Sequence, residues 1–234
     1  RVQVVGGWPG RDPVSLPWRR AGGLLLVLLA AAGAGRPSAL SAQQTSPPAA
    51  SSPSDLTVYL MTFGPGARVW ERFGHNAIWI HDAARGTDAV YNWGMFDFDQ
   101  PNFLGRFVTG DTQYWMAGFD LESTLEVYRE RNRPVWVQEL NLTPAQRDSL
   151  RRFVEWNALP ENMYYRYDYY RDNCSTRVRD ALDAVLGGRI RQATDGVPTG
   201  HSYRWHTRRL LAEDLPVYTG TNIGLGQPAD VPIS

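Results

Sequence analysis

The chain is poor in cysteine: Cys174 is the only one in 234 residues, so no disulfide can form within it and stability must come from an apolar core. Net charge is also missing, because 24 Lys plus Arg balance 24 Asp plus Glu. No basic stripe stands out, which argues against nucleic acid as a partner. The sequence lacks a G-x-S-x-G elbow, a Walker-type loop and a G-x-G-x-x-G run, so serine-elbow, P-loop and dinucleotide chemistry find no support. His201 and His206 are five apart, which is not the i, i+4 spacing of a zinc pair on a helix. No metal site and no cofactor are expected. Aromatics, by contrast, are plentiful, with nine Trp and eleven Tyr. Most of them suit core packing, and exposed ones can line an apolar groove.

The first part of the chain reads as export machinery. Residues 1–17 show no periodicity and no initiating Met, as if the start were set too far upstream. Trp18-Arg19-Arg20 is a basic segment before an apolar run, residues 21–33 (AGGLLLVLLAAAG). That run has signal-peptide length and falls short of the ~20 residues that cross a bilayer. Small residues at 38–42 offer cleavage after Ala42, and no cysteine follows to make a lipoprotein signal. An uncleaved anchor is the alternative. Residues 43–55, rich in Ser, Pro, Ala and Gln, read as a disordered linker. The folded domain is then 56–234, enough for one core. An exported, periplasmic location, or the outer face of the cytoplasmic membrane, is expected.

Within that domain, alternation predicts strands over 56–63, 76–81, 89–93, 113–119, 134–140 and 164–170. Turn residues separate the first three into an antiparallel meander. Helices are predicted over 102–108, 122–131 and 205–211, with a loop over 220–228. The clearest helix start is Thr143-Pro144-Ala145-Gln146, an N-cap, a first-turn proline and a capping box. A further helix carries Val178, Ala181, Leu182 and Val185 on one face and closes at Gly187-Gly188. Strands followed by separate helices indicate an α+β class, an antiparallel sheet packed against helices.

The chemistry centres on Cys174. With Asp172 or Asn173 as N-cap, it falls in the first helical turn, where free N–H groups and the helix dipole favour a thiolate. A small buried apolar residue is the other reading of a lone cysteine. A thiolate needs a base, and four histidines are available: His75, His81, His201 and His206. His75 follows Gly74 at the start of a predicted strand, and Asn92 on the next strand can fix its tautomer. His75 can equally be a structural hydrogen-bonder, and His81 beside Asp82 reads as surface turn. Arg177 lies one turn past Cys174, placed to lower the thiol pKa or bind an anionic head group, or else to pair with Asp180 or Asp172. Arg177, Asn173 and Tyr91 are the candidate substrate contacts. Asp97-Phe98-Asp99 can bind a cation or cap a turn.

Four motifs occur together in order: Phe73-Gly74-His75-Asn76; Val90-Tyr91-Asn92-Trp93-Gly94-Met95-Phe96-Asp97-Phe98; Leu140-Asn141-Leu142-Thr143-Pro144; and Tyr167-Asp168-Tyr169-Tyr170-Arg171-Asp172-Asn173-Cys174-Ser175-Thr176-Arg177. In these the chain resembles the Lnb N-terminal periplasmic domain family, from Leu56 to the C-terminus. The resemblance implies a permuted papain-like (NlpC-type) cysteine domain with His before Cys. It also implies acyl transfer on bacterial lipoproteins through a cysteine thioester. By position Cys174 matches the nucleophile and His75 the base, while Asn92 as third member follows from strand placement. A lipoprotein or lipid acyl substrate, contact with a membrane surface and a monomeric state are expected. Transacylases of this kind resemble a soluble domain followed by a membrane-spanning part, and residues 224–234 read as a segment that continues past Ser234. Two rival functions are a cysteine amidase or peptidase on cell-wall peptides, and a non-catalytic lipid-binding module.

Overall fold

The computed structural model describes residues 2–5, 52–97 and 113–233. The signal-peptide reading, the linker over 43–51, the helix over 102–108 and the Phe98-Asp99 part of the acidic motif lie outside the described residues.

The fold is α+β, built on an antiparallel sheet. β1 (Val2–Val5) is a short edge strand. β2 (Leu56–Phe63), β3 (His75–Asp82) and β4 (Thr87–Met95) form the expected meander, and β5 (Gln113–Asp120) extends it. β6 (Val135–Glu139) adds beside β2, and β7 (Tyr164–Arg166) beside β5. The order is β1-β6-β2-β3-β4-β5-β7. All these pairings are antiparallel.

Period-two alternation buries both faces. On one, Leu56, Val58, Ile78, Ile80, Trp93 and Met116 meet Leu150 and Val154 of α2 (Pro144–Asn157). Val178, Ala181 and Leu182 of α3 (Cys174–Val185) join the same core, the stripe expected from the sequence. On the other face Met61, Phe63, Ala77, Val90 and Val135 meet Leu121, Leu125 and Tyr128 of α1 (Leu121–Glu130). The Trp93 indole N–H donates to Asn157 Oδ1 at 2.8 Å, tying the end of β4 to the end of α2. The capping box at Thr143 and Gln146 forms as expected, with Pro144 in the first turn.

Two features of the register position the site. β2 and β3 stay paired to Phe63 opposite His75. β3 and β4 part earlier, at Ala77 opposite Asn92, and a bulge at Gly94 then shifts the register of β4 against β5. His75 and Asn76 thus run on past the ladder.

Several expectations need correcting. The aromatic stretch 164–170 is a strand only to Arg166, because the Asp168 carboxylate accepts from the Tyr170 and Arg171 N–H groups and folds the chain into a tight turn. The first part of the expected loop over 220–228 is helical: α6 (Leu215–Gly224) is capped by Asp214, which accepts from Val217 N–H, and starts with a first-turn proline. Its glycines hide it from propensity. α5 (Tyr203–Leu211) matches expectation, and α4 (Arg189–Thr194), a short helix that was not foreseen, follows Gly188. Within the linker, residues 53–55 form a 3₁₀ turn. Residues 2–5, read as patternless, pair with β6 as three valines on an open edge. His81 lies within β3 and shares Asp88 with Trp79 rather than sitting in a turn.

Leu150 is fully buried. Leu150→Ala is expected to destabilise the fold by about 2–5 kcal/mol through lost burial and the cavity left behind, read as a lowered urea midpoint at unchanged slope.

Candidate active site

The notch where β3 and β4 part is filled from the side by α3. Asn173 is its N-cap, and the Asn173 side-chain oxygen accepts from the Ser175 and Thr176 N–H groups. Cys174 therefore opens the first turn, half-buried, with its Cβ packed over Gly94. Gly94 has φ of 89°, in the left-handed region, and a Cβ there would meet the Cys174 Cβ at 3.7 Å and the Tyr167 ring at 3.5 Å.

His75 comes from the β3 extension on the far side of the notch. Gly74, at φ of 71°, turns the chain into it, and a side chain there would sit 2.8 Å from the Phe63 carbonyl. His75 Nε2 and Asn92 Oδ1 are 2.9 Å apart. The Asn92 amide N–H group donates to the Val90 carbonyl at 3.2 Å, which orients its oxygen toward the imidazole. Nε2 is then the protonated nitrogen, and Nδ1 is left for sulfur. Behind the imidazole runs a column of planar groups: His75 on Phe63, Phe63 on Tyr128 at 3.9 Å, and the Arg133 guanidinium over Tyr128 at 4.8 Å. The column holds the ring in its plane.

His75 and Cys174 are hydrogen-bonded. Burial pushes the thiol up, but the charge of His75, its hydrogen bond, the Asn76 N–H and the Ser175 hydroxyl outweigh it and bring the thiol down to about 7. Burial likewise opposes the imidazolium. The Cys174 thiolate and the bonds to Cys174 and Asn92 win, so His75 is raised, with Arg133 pulling the other way. The pair favours thiolate and imidazolium together near neutral pH.

Sequence reasoning missed a second set of contacts. Asn76, beyond the last β3–β4 pair, has no β4 residue opposite it, and its N–H reaches the sulfur instead. Its side chain donates to Ser175 Oγ at 2.8 Å and accepts from the Thr62 hydroxyl at 3.0 Å. Ser175 Oγ lies 3.9 Å from the sulfur. Since Ser175 accepts from Asn76, its own proton is free to point at the thiolate. The Asn76 contact depends on where the ladder ends, which no local pattern reveals.

Other expected contacts fall elsewhere. Arg177 is committed to Asp172, through Nη2 at 2.6 Å and through Nε, and lies over the Tyr165 ring at 4.2 Å. It is an anchor for the turn before the helix, not an open anion binder. Asn173 is spent on the cap and on the Tyr169 carbonyl. Tyr91 alternates with Asn92 and so faces the other side of the sheet, packed against the α2–α3 core; burial there pushes its hydroxyl up to about 12. His201 stacks on Trp205 at 3.7 Å, with His206 edge-on, at the α5 end of the molecule. Among the described residues no group of three or more His, Cys, Asp and Glu is placed to hold a metal ion.

An aromatic cluster runs outward from Tyr167, which lies beside Cys174 over Gly94. Tyr167 stacks on Tyr114 at 4.2 Å, Phe96 lies 5.1 Å from Tyr114, and Trp70 meets Phe96 edge-on. Trp70, Phe73 and Tyr169 are exposed. Such a wall suits an apolar chain more than a charged one.

The sequence model of the Lnb N-terminal periplasmic domain matches residues 43–214, and the chain belongs to that family. No curated protein and no solved structure matches it significantly. Among the described residues no helix is long and apolar enough to cross a membrane.

Iodoacetamide should alkylate Cys174 with a pH midpoint near about 7. His75→Ala should move that midpoint upward, since burial then acts unopposed by the imidazolium. Identical titrations of the two proteins would show that the pair is not coupled.

Proposed function

We propose that this member of the Lnb N-terminal periplasmic domain family is a cysteine acyltransferase. It moves a fatty acyl chain of a lipid-modified substrate, a lipoprotein, through a thioester on Cys174. The observation that carries this reading is the hydrogen-bonded Cys174–His75 pair, with Asn92 holding the far imidazole nitrogen. The order His75, Asn92, Cys174 along the chain, with imidazole on a strand and sulfur on a helix end, supports a circularly permuted papain-like domain of NlpC type.

The thiolate attacks an ester carbonyl, forming the C–S bond while the carbonyl π electrons move to oxygen. Collapse of that intermediate breaks the ester C–O bond, and the leaving alkoxide takes the proton held by His75. The acyl group then rests on sulfur. An incoming amine or alcohol gives its proton to His75, takes the acyl group and returns the thiol. No metal or cofactor is needed. Asn92 keeps His75 in the tautomer that serves sulfur. The aromatic wall would hold the acyl chain, at the outer face of the cytoplasmic membrane where such substrates sit.

Incubation with vesicles carrying a diacylated lipopeptide should add one acyl chain to the intact mass of the protein, removable by hydroxylamine. Cys174→Ala should lose the adduct and lower acyl transfer by about 10⁴-fold or more, as removal of a nucleophile does. Full transfer by Cys174→Ala would end the proposal. Cleavage of muropeptides without acyl uptake would favour an amidase on cell-wall peptides, and lipid held without a covalent bond would favour a binding module.

A further inference from the structure

Acyl transfer through a thiolate passes through an oxyanion, which is stabilised by two preorganised donors rather than one. The start of α3 supplies fewer than a helix end usually does. Asn173 consumes the Ser175 and Thr176 N–H groups, and only the Cys174 N–H is bonded to no described residue. The side-chain amides nearby are also occupied: Asn92 on the Val90 carbonyl, Asn76 on Ser175 and Asn173 on the Tyr169 carbonyl. A second donor must come from elsewhere.

Tyr165, in β7, meets the requirement. Its hydroxyl oxygen is buried and makes no full hydrogen bond, and although the Gly94 backbone leans on that oxygen, the phenol proton has no acceptor among the described residues. A buried donor left unmade costs about 1–3 kcal/mol, so such groups call for an explanation. The hydroxyl borders the same small space as the sulfur side chain: a Cβ on Gly94 would meet the Tyr165 oxygen at 3.8 Å, the Cys174 Cβ at 3.7 Å and the Tyr167 ring at 3.5 Å. The absence of a side chain at Gly94 leaves that space open. The Arg177 guanidinium, pinned by Asp172, lies 4.2 Å from the Tyr165 ring and draws electron density from the phenol, which strengthens it as a donor. Burial and the nearby Cys174 push the hydroxyl pKa up, so it keeps its proton throughout the working range.

We propose that Tyr165 is a catalytic residue, its hydroxyl donating, together with the Cys174 N–H, to the oxyanion formed when Cys174 attacks an acyl carbonyl. This rests on the acyl-transfer reading above. In the balanced step the thiolate forms the C–S bond, the carbonyl electrons move to oxygen, and Tyr165 and the Cys174 N–H donate to that oxygen without giving up their protons. When the C=O reforms, the leaving group departs with the His75 proton. Arg177 is a positioning residue that acts through Tyr165.

The test compares wild type with Tyr165→Phe in two reactions of the same sulfur. Acylation by p-nitrophenyl butyrate, followed as the burst of p-nitrophenolate, passes through an oxyanion. Alkylation by iodoacetamide is a displacement and does not. Tyr165→Phe should slow acylation by about 100-fold or more, while its alkylation–pH curve stays on that of the wild type. That curve also reports that the variant is folded with its thiol pair intact. Equal acylation rates in the two proteins overturn the Tyr165 assignment alone. So does a parallel loss of acylation and alkylation, which would mark Tyr165 as a structural support. A wild-type protein that the ester leaves unacylated overturns the acyl-transfer reading and this assignment with it.

Discussion

The site depends on one interruption in a hydrogen-bond ladder. β3 and β4 pair as far as Ala77 and Asn92 and no further, because the bulge at Gly94 carries β4 aside. Had the ladder continued, the Asn76 N–H would face another strand and the sulfur would have no room. Instead a helix end enters the gap, and its first side chain lies between a backbone N–H and an imidazole. A closed sheet offers only side chains to a reacting group. An opened one offers main-chain donors as well, held rigid by the strands that remain paired.

The surrounding layers determine how firmly that gap is held. Trp93, next to the bulge, is bound through its indole to Asn157 at the end of α2. Phe63, opposite His75 in the β2 register, carries the imidazole on its face and rests in turn on Tyr128 of α1. The two faces of the sheet thus hold the two halves of the site separately: α2 and α3 hold the sulfur side, and α1 holds the imidazole side. The burial of Trp93 and Phe63, each worth about 1.5–3 kcal/mol on the scale of large apolar side chains, serves position as much as stability.

Much of this was legible in the chain. Strand alternation, the Thr143 capping box and the apolar face of α3 are local signals, and they located the meander and both major helices. His75 and Cys174 stand at element boundaries marked by Gly74 and by the Asn173 cap, and Asn92 follows from its place on the neighbouring strand, so the three candidates could be read from local pattern. What escaped was whatever depends on partners distant in sequence. For Arg177 the sequence left Asp172 and Asp180 both open, and the turn between Asp168 and Asp172 settles the pair on Asp172. Tyr91 and Asn92 are neighbours on one strand, so alternation alone places them on opposite faces, and both cannot serve the same site. Asn76 stands in the His75 motif, but nothing local assigns it a contact, and Tyr165 lies outside all four motifs. Helix α6 was lost because two glycines and a proline look like loop until a cap is seen.

The solitary thiol has a further consequence, in redox terms. A thiolate formed near neutral pH is also the form that peroxide attacks, giving a sulfenic acid. A second cysteine nearby would trap that species as a disulfide and allow its repair by exchange, but this chain has no second cysteine. In an oxidising compartment the sulfur would then go on to sulfinic acid unless a thiol from another molecule, or an acyl chain already seated on it, reached it first. On the proposed mechanism, acylation would double as protection of the sulfur.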